Sequence, residues 1–139
     1  MKIEQDQVRE FMMKAGQECP EKPTTPSMKV AELRTKLIEE ELLELRGAIG
    51  LGRRFIAQDE TERIPCDLVE VSDAITDLLV VVLGTAVACG INIQPCWDEV
   101  HRSNMTKFID GHRREDGKWI KGPSYSPANL EPIIKEQMK

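Results

Sequence analysis

Two short patterns of acidic residues are the features of this sequence best suited to chemistry. Glu40, Glu41 and Glu44 form E-E-x-x-E, and Glu70, Asp73 and Asp77 follow at intervals of 3 and 4 residues. At ~100° per residue on a helix, the three glutamates fall within an arc of roughly 100° that also holds Val30, Leu33, Leu37 and Ala48. Glu70, Asp73 and Asp77 fall within about 60° on a second helix. Both sets are therefore expected to turn inward with the hydrophobes, whereas Glu39 points to solvent. A buried carboxylate is costly unless it is protonated, paired with a cation or bound to a metal. Two acidic wedges on successive helices thus describe a hard-cation site, and all-oxygen ligands select Mg²⁺ or Mn²⁺ over zinc.

The plain alternative is a set of solvated acids, or ion pairs to Arg34, Lys36 and Arg46. Glutamate is a good helix former, so one such pattern alone carries little weight. A di-iron carboxylate bundle would require Glu-x-x-His on two of its four helices. Only Asp98-x-x-His101 approaches that, and His101 is expected to make a structural hydrogen bond.

An anion bridged to a cation on one side needs positive groups on the other. Asn104 and Lys107, three residues apart, share one helix face, and Lys118 and Lys121 follow. These are the candidate substrate-binding residues; the other reading is a basic surface turn and a mobile tail. Val8, Phe11 and Met12 with Trp97 are generic apolar candidates for a ligand pocket, Phe11 foremost.

The elements that must position these residues are helical. Residues 3 to 15 carry Val8, Phe11 and Met12 at helical spacing. Three prolines between Cys19 and Ser27 force an extended connector. Ser27 caps a second helix that runs to about Gly50, where Gly-Leu-Gly stops it. Pro65 opens a third, continuing to about Gly90; its Leu-Leu-Val-Val-Val-Leu stretch reads as helix, buried all round, because the run is long and the acids upstream keep helical spacing. Pro95 opens a fourth, Cys96 to about Phe108. Residues 109 to 139 form a turn-rich tail, with a short hairpin around Asp116-Gly117 and a last helical turn or two after Pro127, through Leu130 and Ile134.

Composition agrees with one small domain spanning 1–139. The chain is 40% apolar but only 4% aromatic, so its core is aliphatic, and 31% charged residues describe a soluble protein. A net charge of −5 argues against a nucleic-acid partner, which calls for a basic footprint. The N-terminus alternates charge too densely for a signal peptide. Leu78 to Ile91, the longest charge-free apolar run, is shorter than the about 20 residues of a bilayer span. A cytoplasmic protein with no membrane partner is expected. The cysteines, Cys19, Cys66, Cys89 and Cys96, lack zinc-site spacing and read as reduced packing thiols.

Four blocks together carry a family resemblance: Arg34-x-x-Leu37-Ile38-x-Glu40-Glu41-x-x-Glu44-Leu45, the acidic helix ending DLLVVVLGTAVACGIN, then VHRSNMTK and DGKWIKGPSYSP. The sequence resembles the all-α nucleoside triphosphate pyrophosphohydrolases, also called MazG-like, and especially their short dUTPase-like and phage branch. The resemblance implies an all-α bundle of four to five helices, completed by dimerisation or as a dimer of dimers. It also implies cleavage of a nucleoside triphosphate to monophosphate and pyrophosphate, controlling nucleotide pools, with dUTP and (d)GTP both open. Mg²⁺, or Mn²⁺ in its place, would be held by the E-E-x-x-E glutamates and an E-x-x-D pair. The literal E-x-x-D is Glu70 to Asp73, yet the following DLLVVVLGTA aligns the family aspartate with Asp77. Asp73 and Asp77 are accordingly expected as the metal-side pair, with Glu70 a supporting or alternative ligand. Glu41 or Glu44 would orient or deprotonate the water that attacks the α-phosphorus. Lys107, helped by Lys118 or Lys121, would offset charge on the departing pyrophosphate. A phosphoribosyl-ATP pyrophosphohydrolase of the same superfamily and a noncatalytic helical interaction module remain as alternatives.

Overall fold

The computed structural model describes residues 2–51 and 66–139, with side chains described from Glu4 onward. The expected all-α architecture is present: helices α1 (Lys2–Lys14), α2 (Met28–Ala48), α3 (Leu68–Ala88) and α4 (Ile93–Met105), the short α5 (Lys107–Asp110) and α6 (Glu131–Met138). Between α5 and α6 lies a small antiparallel hairpin, β1 (His112–Arg113) with β2 (Trp119–Ile120), in which His112 faces Ile120 and Arg113 faces Trp119.

Local chemistry sets the boundaries. The Ser27 side chain accepts a hydrogen bond from Val30 N at 3.3 Å, as expected of the cap on α2. On α3 the cap is Asp67, whose Oδ1 accepts from Val69 N at 2.8 Å; Pro65, expected to open this helix, lies outside the described residues. Helix α4 begins earlier than expected. Asn92 caps it by accepting from Gln94 N, so Pro95 sits within the first turn, where its missing N–H costs no intrahelical bond. The helix also ends earlier, at Met105, leaving Phe108 on α5. Gly90 stops α3 with φ +67°, and a Cβ there would stand 2.1 Å from Lys22 O, so the proline connector and the α3 terminus can meet only over a glycine.

The core is aliphatic and small: Val8 and Met12 of α1 pack on Leu83, Val87 and Ala88 of α3, with Cys19, Val30 and Ile93 against its edge. Helices α2 and α3 are antiparallel neighbours. Arg34 on α2 lies across Gly84 and donates to Val81 O at 2.9 Å, while Glu41, two turns on, faces Asp77, two turns back. Arg34 therefore pairs with a backbone carbonyl, not with the acids.

Helix α3 departs from the all-round burial expected of it. Leu68, Ile75, Leu79 and Val82 form one stripe that is 44–75% exposed. Its 21 residues are long and apolar enough, by length and composition, to cross a membrane. The helix nevertheless carries Asp73 and Asp77 at mid-length and packs against α1 and α2, as the core helix of a bundle does. Cysteines also depart in part: Cys96 is buried and Cys19 and Cys89 are half-buried, but Cys66 is exposed, and all four are free thiols.

The tail is fastened down. Gln137 on α6 accepts from Asn92 N at 2.8 Å and donates to Asn92 O at 2.9 Å. Asp110 accepts from both N and Oγ of Ser124. Glu99 binds Arg102 at 2.8 Å and Asn129 N at 2.9 Å, which holds its carboxyl down to about 2.

Candidate active site

Because α2 and α3 run antiparallel, residues whose levels match lie across from one another, and this brings the two acidic patterns together. Glu41 is the centre. It is half-buried, its Oε2 is shut off from solvent without a hydrogen-bond partner among the described residues, and its carboxyl is pushed above the usual 4.5, first by burial and then by Glu44, Asp77, Glu40 and Asp73. Among the described residues, every charged group acting on Glu41 is another carboxylate. Like charges gathered around a partly desolvated acid favour its protonated form, and a cation placed among them would reverse that preference.

The geometry corrects the expected burial of the acids. Only Glu41 turns inward; Glu40, Glu44, Asp73 and Asp77 are exposed at the rim of the α2–α3 seam, and Glu40 is 3.9 Å from Lys36. Glu70 is not among the groups acting on Glu41. It lies two turns before Asp77, at the level of Ala48 on the neighbouring helix, about 10 Å along the axis from the Glu41–Asp77 level. Among the described residues, no three Asp, Glu, His or Cys side chains already converge as ligands to a single ion. The acids therefore form a rim of oxygen donors around one orphaned oxygen. That donor set suits a hard divalent cation.

Phe11 lies on an open groove of about 370 Å³ between α1 and α3, with Val8, Leu79, Val80 and Leu83 as its apolar wall and Gln7 and Thr76 among its polar edges. Val80 is three residues beyond Asp77, so the groove adjoins the acidic rim. Two base-pocket expectations are corrected: Met12 is in the core at 2% exposure, and Trp97, though exposed, does not line this groove. Composition could not separate these four apolar residues.

At the cationic end, Lys107 Nζ donates to Asn104 Oδ1 at 2.9 Å, as their shared face predicts. Lys121 joins them from the tail, its Nζ 4.9 Å from the centre of the Tyr125 ring, with Lys107 Nζ at 5.8 Å. Lys118 is separate, on the hairpin turn, where its N–H donates to Asp116 and its carbonyl accepts from Arg114 N. Tyr125 is the residue that sequence reasoning missed here, although it lies inside the DGKWIKGPSYSP block, between Lys121 and Pro127. The His101 side chain is exposed and makes no hydrogen bond among the described residues, contrary to the structural role expected of it.

No curated protein matches the chain. Residues 8–104 match the family described as phosphoribosyl-ATP pyrophosphohydrolase, a span that holds all six acids and Asn104 but stops short of Lys107 and the tail. These relatives are all-helical and akin to the MazG-like enzymes, so fold and family agree. The chain therefore belongs to the phosphoribosyl-ATP pyrophosphohydrolase family and is a pyrophosphohydrolase acting on a nucleotide.

Proposed function

We propose that this protein hydrolyses a nucleoside triphosphate to the monophosphate and pyrophosphate, with Mg²⁺ held by Glu40, Glu41, Glu44, Asp73 and Asp77 and Mn²⁺ able to replace it. The observation that carries the reading is Glu41, an acid that among the described residues has one buried, unbonded oxygen and only carboxylates for charged neighbours. Such an arrangement costs stability unless a cation occupies it. When bound, the cation supplies charge neutralisation to the phosphate oxygens and acidifies a coordinated water.

The chain's own groups supply the rest. Glu44, exposed at the rim, orients and deprotonates the water that attacks the α-phosphorus, with Glu41 one turn before it on α2. Lys107, held by Asn104, takes up the negative charge that develops on the pyrophosphate leaving group. The groove at Phe11 receives the base by apolar contact. Gln7 and Thr76 are the edges that could distinguish dUTP from (d)GTP, the two bases the short dUTPase-like and phage branch suggests. A second reading, phosphoribosyl-ATP as substrate, is favoured by the family match. Both readings cleave the same anhydride bond.

Self-association belongs to the proposal. The exposed stripe Leu68, Ile75, Leu79 and Val82 suits a second copy of the chain, as a dimer or a dimer of dimers. In one chain no lysine of the α4–tail end acts on Glu41, so the second copy would bring its cationic end to these acids.

The test is product analysis with a panel of NTPs, dNTPs and phosphoribosyl-ATP under Mg²⁺, Mn²⁺ or EDTA. Metal-dependent pyrophosphate release from a nucleoside triphosphate supports the reading and names the base. Turnover of phosphoribosyl-ATP alone would replace it with the second, and silence across the panel would refute both.

A further inference from the structure

The tail after the hairpin is built around Tyr125. Its hydroxyl takes a hydrogen bond from Ser103 Oγ at 3.2 Å, and Ser103 is only 2% exposed, so the ring is anchored to the inner side of α4. The next residue, Ser126, donates its N–H to Thr106 Oγ1 at 2.8 Å, and Asp110 holds Ser124 on the other side. Trp119 Nε1 donates to Lys107 O at 2.7 Å, which ties the hairpin to the same helical turn. The backbone on both sides of the ring is thus fixed, and the ring cannot move without breaking these bonds.

Two ammonium groups converge on this fixed ring, Lys107 from α5 and Lys121 from the tail. They are 14 positions apart in sequence, and nothing but the tail's course brings them together. Among the described residues, neither lysine has a carboxylate within ion-pair distance, whereas Lys14, Lys36, Lys135 and Lys139 each do. Two like charges brought to one ring without an acid repel one another, and the ring offsets only part of that cost. A bound polyanion removes it.

We infer that Tyr125 is a positioning residue that gathers Lys107 and Lys121, with Asn104, into one polyphosphate-binding claw. The claw holds the β- and γ-phosphates of substrate and then pyrophosphate. Lys121, not Lys118, is the second cation. This rests on the pyrophosphohydrolase reading above, and it places a functional role on a segment beyond the matched family span.

The test compares the wild type with Tyr125→Leu, Tyr125→Phe and Lys121→Met, all in the full chain. Pyrophosphate affinity is measured by calorimetry in EDTA, and KM and kcat are measured with whichever nucleotide the panel identifies. Losing the ring should weaken pyrophosphate binding about tenfold and raise KM by a similar factor, with kcat changing much less. Tyr125→Phe keeps the ring face and should restore affinity to within about twofold, while Lys121→Met should match Tyr125→Leu. A merely structural role would lower the melting temperature of Tyr125→Leu without moving pyrophosphate affinity, and that result overturns the inference. So would equal losses in Tyr125→Phe and Tyr125→Leu, or wild-type affinity in Lys121→Met. If Tyr125→Leu does not fold, the Tyr125→Phe and Lys121→Met pair decides alone. Failure of the function reading looks different: no nucleotide is cleaved, yet the pyrophosphate affinities still follow the ring.

Discussion

Gly84→Ala should unseat the helix pair that carries the acids, and the structure sets the size of the effect. A Cβ at Gly84 would lie 2.1 Å from Arg34 Nη2, 2.9 Å from Arg34 Cζ and 3.3 Å from Met12 Sδ. A guanidinium is the far end of a flexible side chain and would ordinarily step aside. Here it has little room to do so, because Arg34 is 6% exposed and its Nη2 holds Val81 O. Forcing an extra methyl into a packed seam costs ~1–3 kcal/mol, and breaking a hydrogen bond from a charged donor costs roughly 1.5–3 kcal/mol. A total near 3 kcal/mol corresponds to a fall of roughly 10 °C in melting temperature for a domain of this size. Glu41 and Asp77 lie seven residues from Arg34 and Gly84 on their helices, so the shift should reach the acidic rim and lower turnover as well. Urea and thermal melts measure the first effect, initial rates the second. The double variant Arg34→Ala, Gly84→Ala should be less destabilised than the sum of the two singles, since the clash disappears with the side chain. A Gly84→Ala protein melting within about 2 °C of wild type, or additive losses in the double variant, would refute this account of the seam.

Other outcomes follow from the acids. Glu41 has its carboxyl raised above 4.5, so the folded chain holds a proton that the unfolded chain gives up. Its contribution is fully present below pH 4.5 and is lost as pH rises through the folded value. Glu41→Gln should therefore stabilise the metal-free protein at neutral pH while abolishing turnover and the rise in melting temperature caused by Mg²⁺; a variant that still gains stability from Mg²⁺ contradicts the site. Glu99 acts with the opposite sign: its stabilisation of the tail is present above 4.5 and lost as pH falls toward about 2, which acid titration of wild type against Glu99→Gln will show. Asp77→Asn should abolish turnover and Glu70→Gln should cost far less, because Glu70 stands outside the cluster; equal losses would return Glu70 to the metal site. Mixing inactive Glu41→Gln with inactive Lys107→Met should restore activity, up to about a quarter of wild type for randomly reassorting dimers. No recovery after verified subunit exchange would show that each chain completes its own site.

Much of this was legible in the sequence for identifiable reasons. Ser27, the three-proline connector and the glycines at the ends of α2 and α3 act through local backbone chemistry, so the helix boundaries they set were readable. The α4 start was misplaced because Pro95 is the louder signal, whereas Asn92 does the capping. That each acidic pattern shares one helix face was visible from spacing alone; that the two meet is seen in the charges acting on Glu41. Their burial was not visible from spacing, since angular position on a helix says which residues share a face but not what covers it. Glu70 illustrates the point: it shares a face with Asp73 and Asp77 but lies too far along the axis to join Glu41. The same limit applies to α3, whose apolar stripe reads as core although one chain leaves it exposed. Tyr125 was out of reach because the approach of Lys107 and Lys121 to its ring depends on how the tail folds back, which no local pattern encodes.

The most direct test of the central claim is hydrolysis in ¹⁸O-labelled water with Mg²⁺, following the label into the products by mass spectrometry. Attack at the α-phosphorus from the acidic rim predicts one ¹⁸O in the nucleoside monophosphate and none in the pyrophosphate, with no reaction in EDTA or in Glu41→Gln. Label in the pyrophosphate, release of orthophosphate in its place, or undiminished turnover by Glu41→Gln would contradict it.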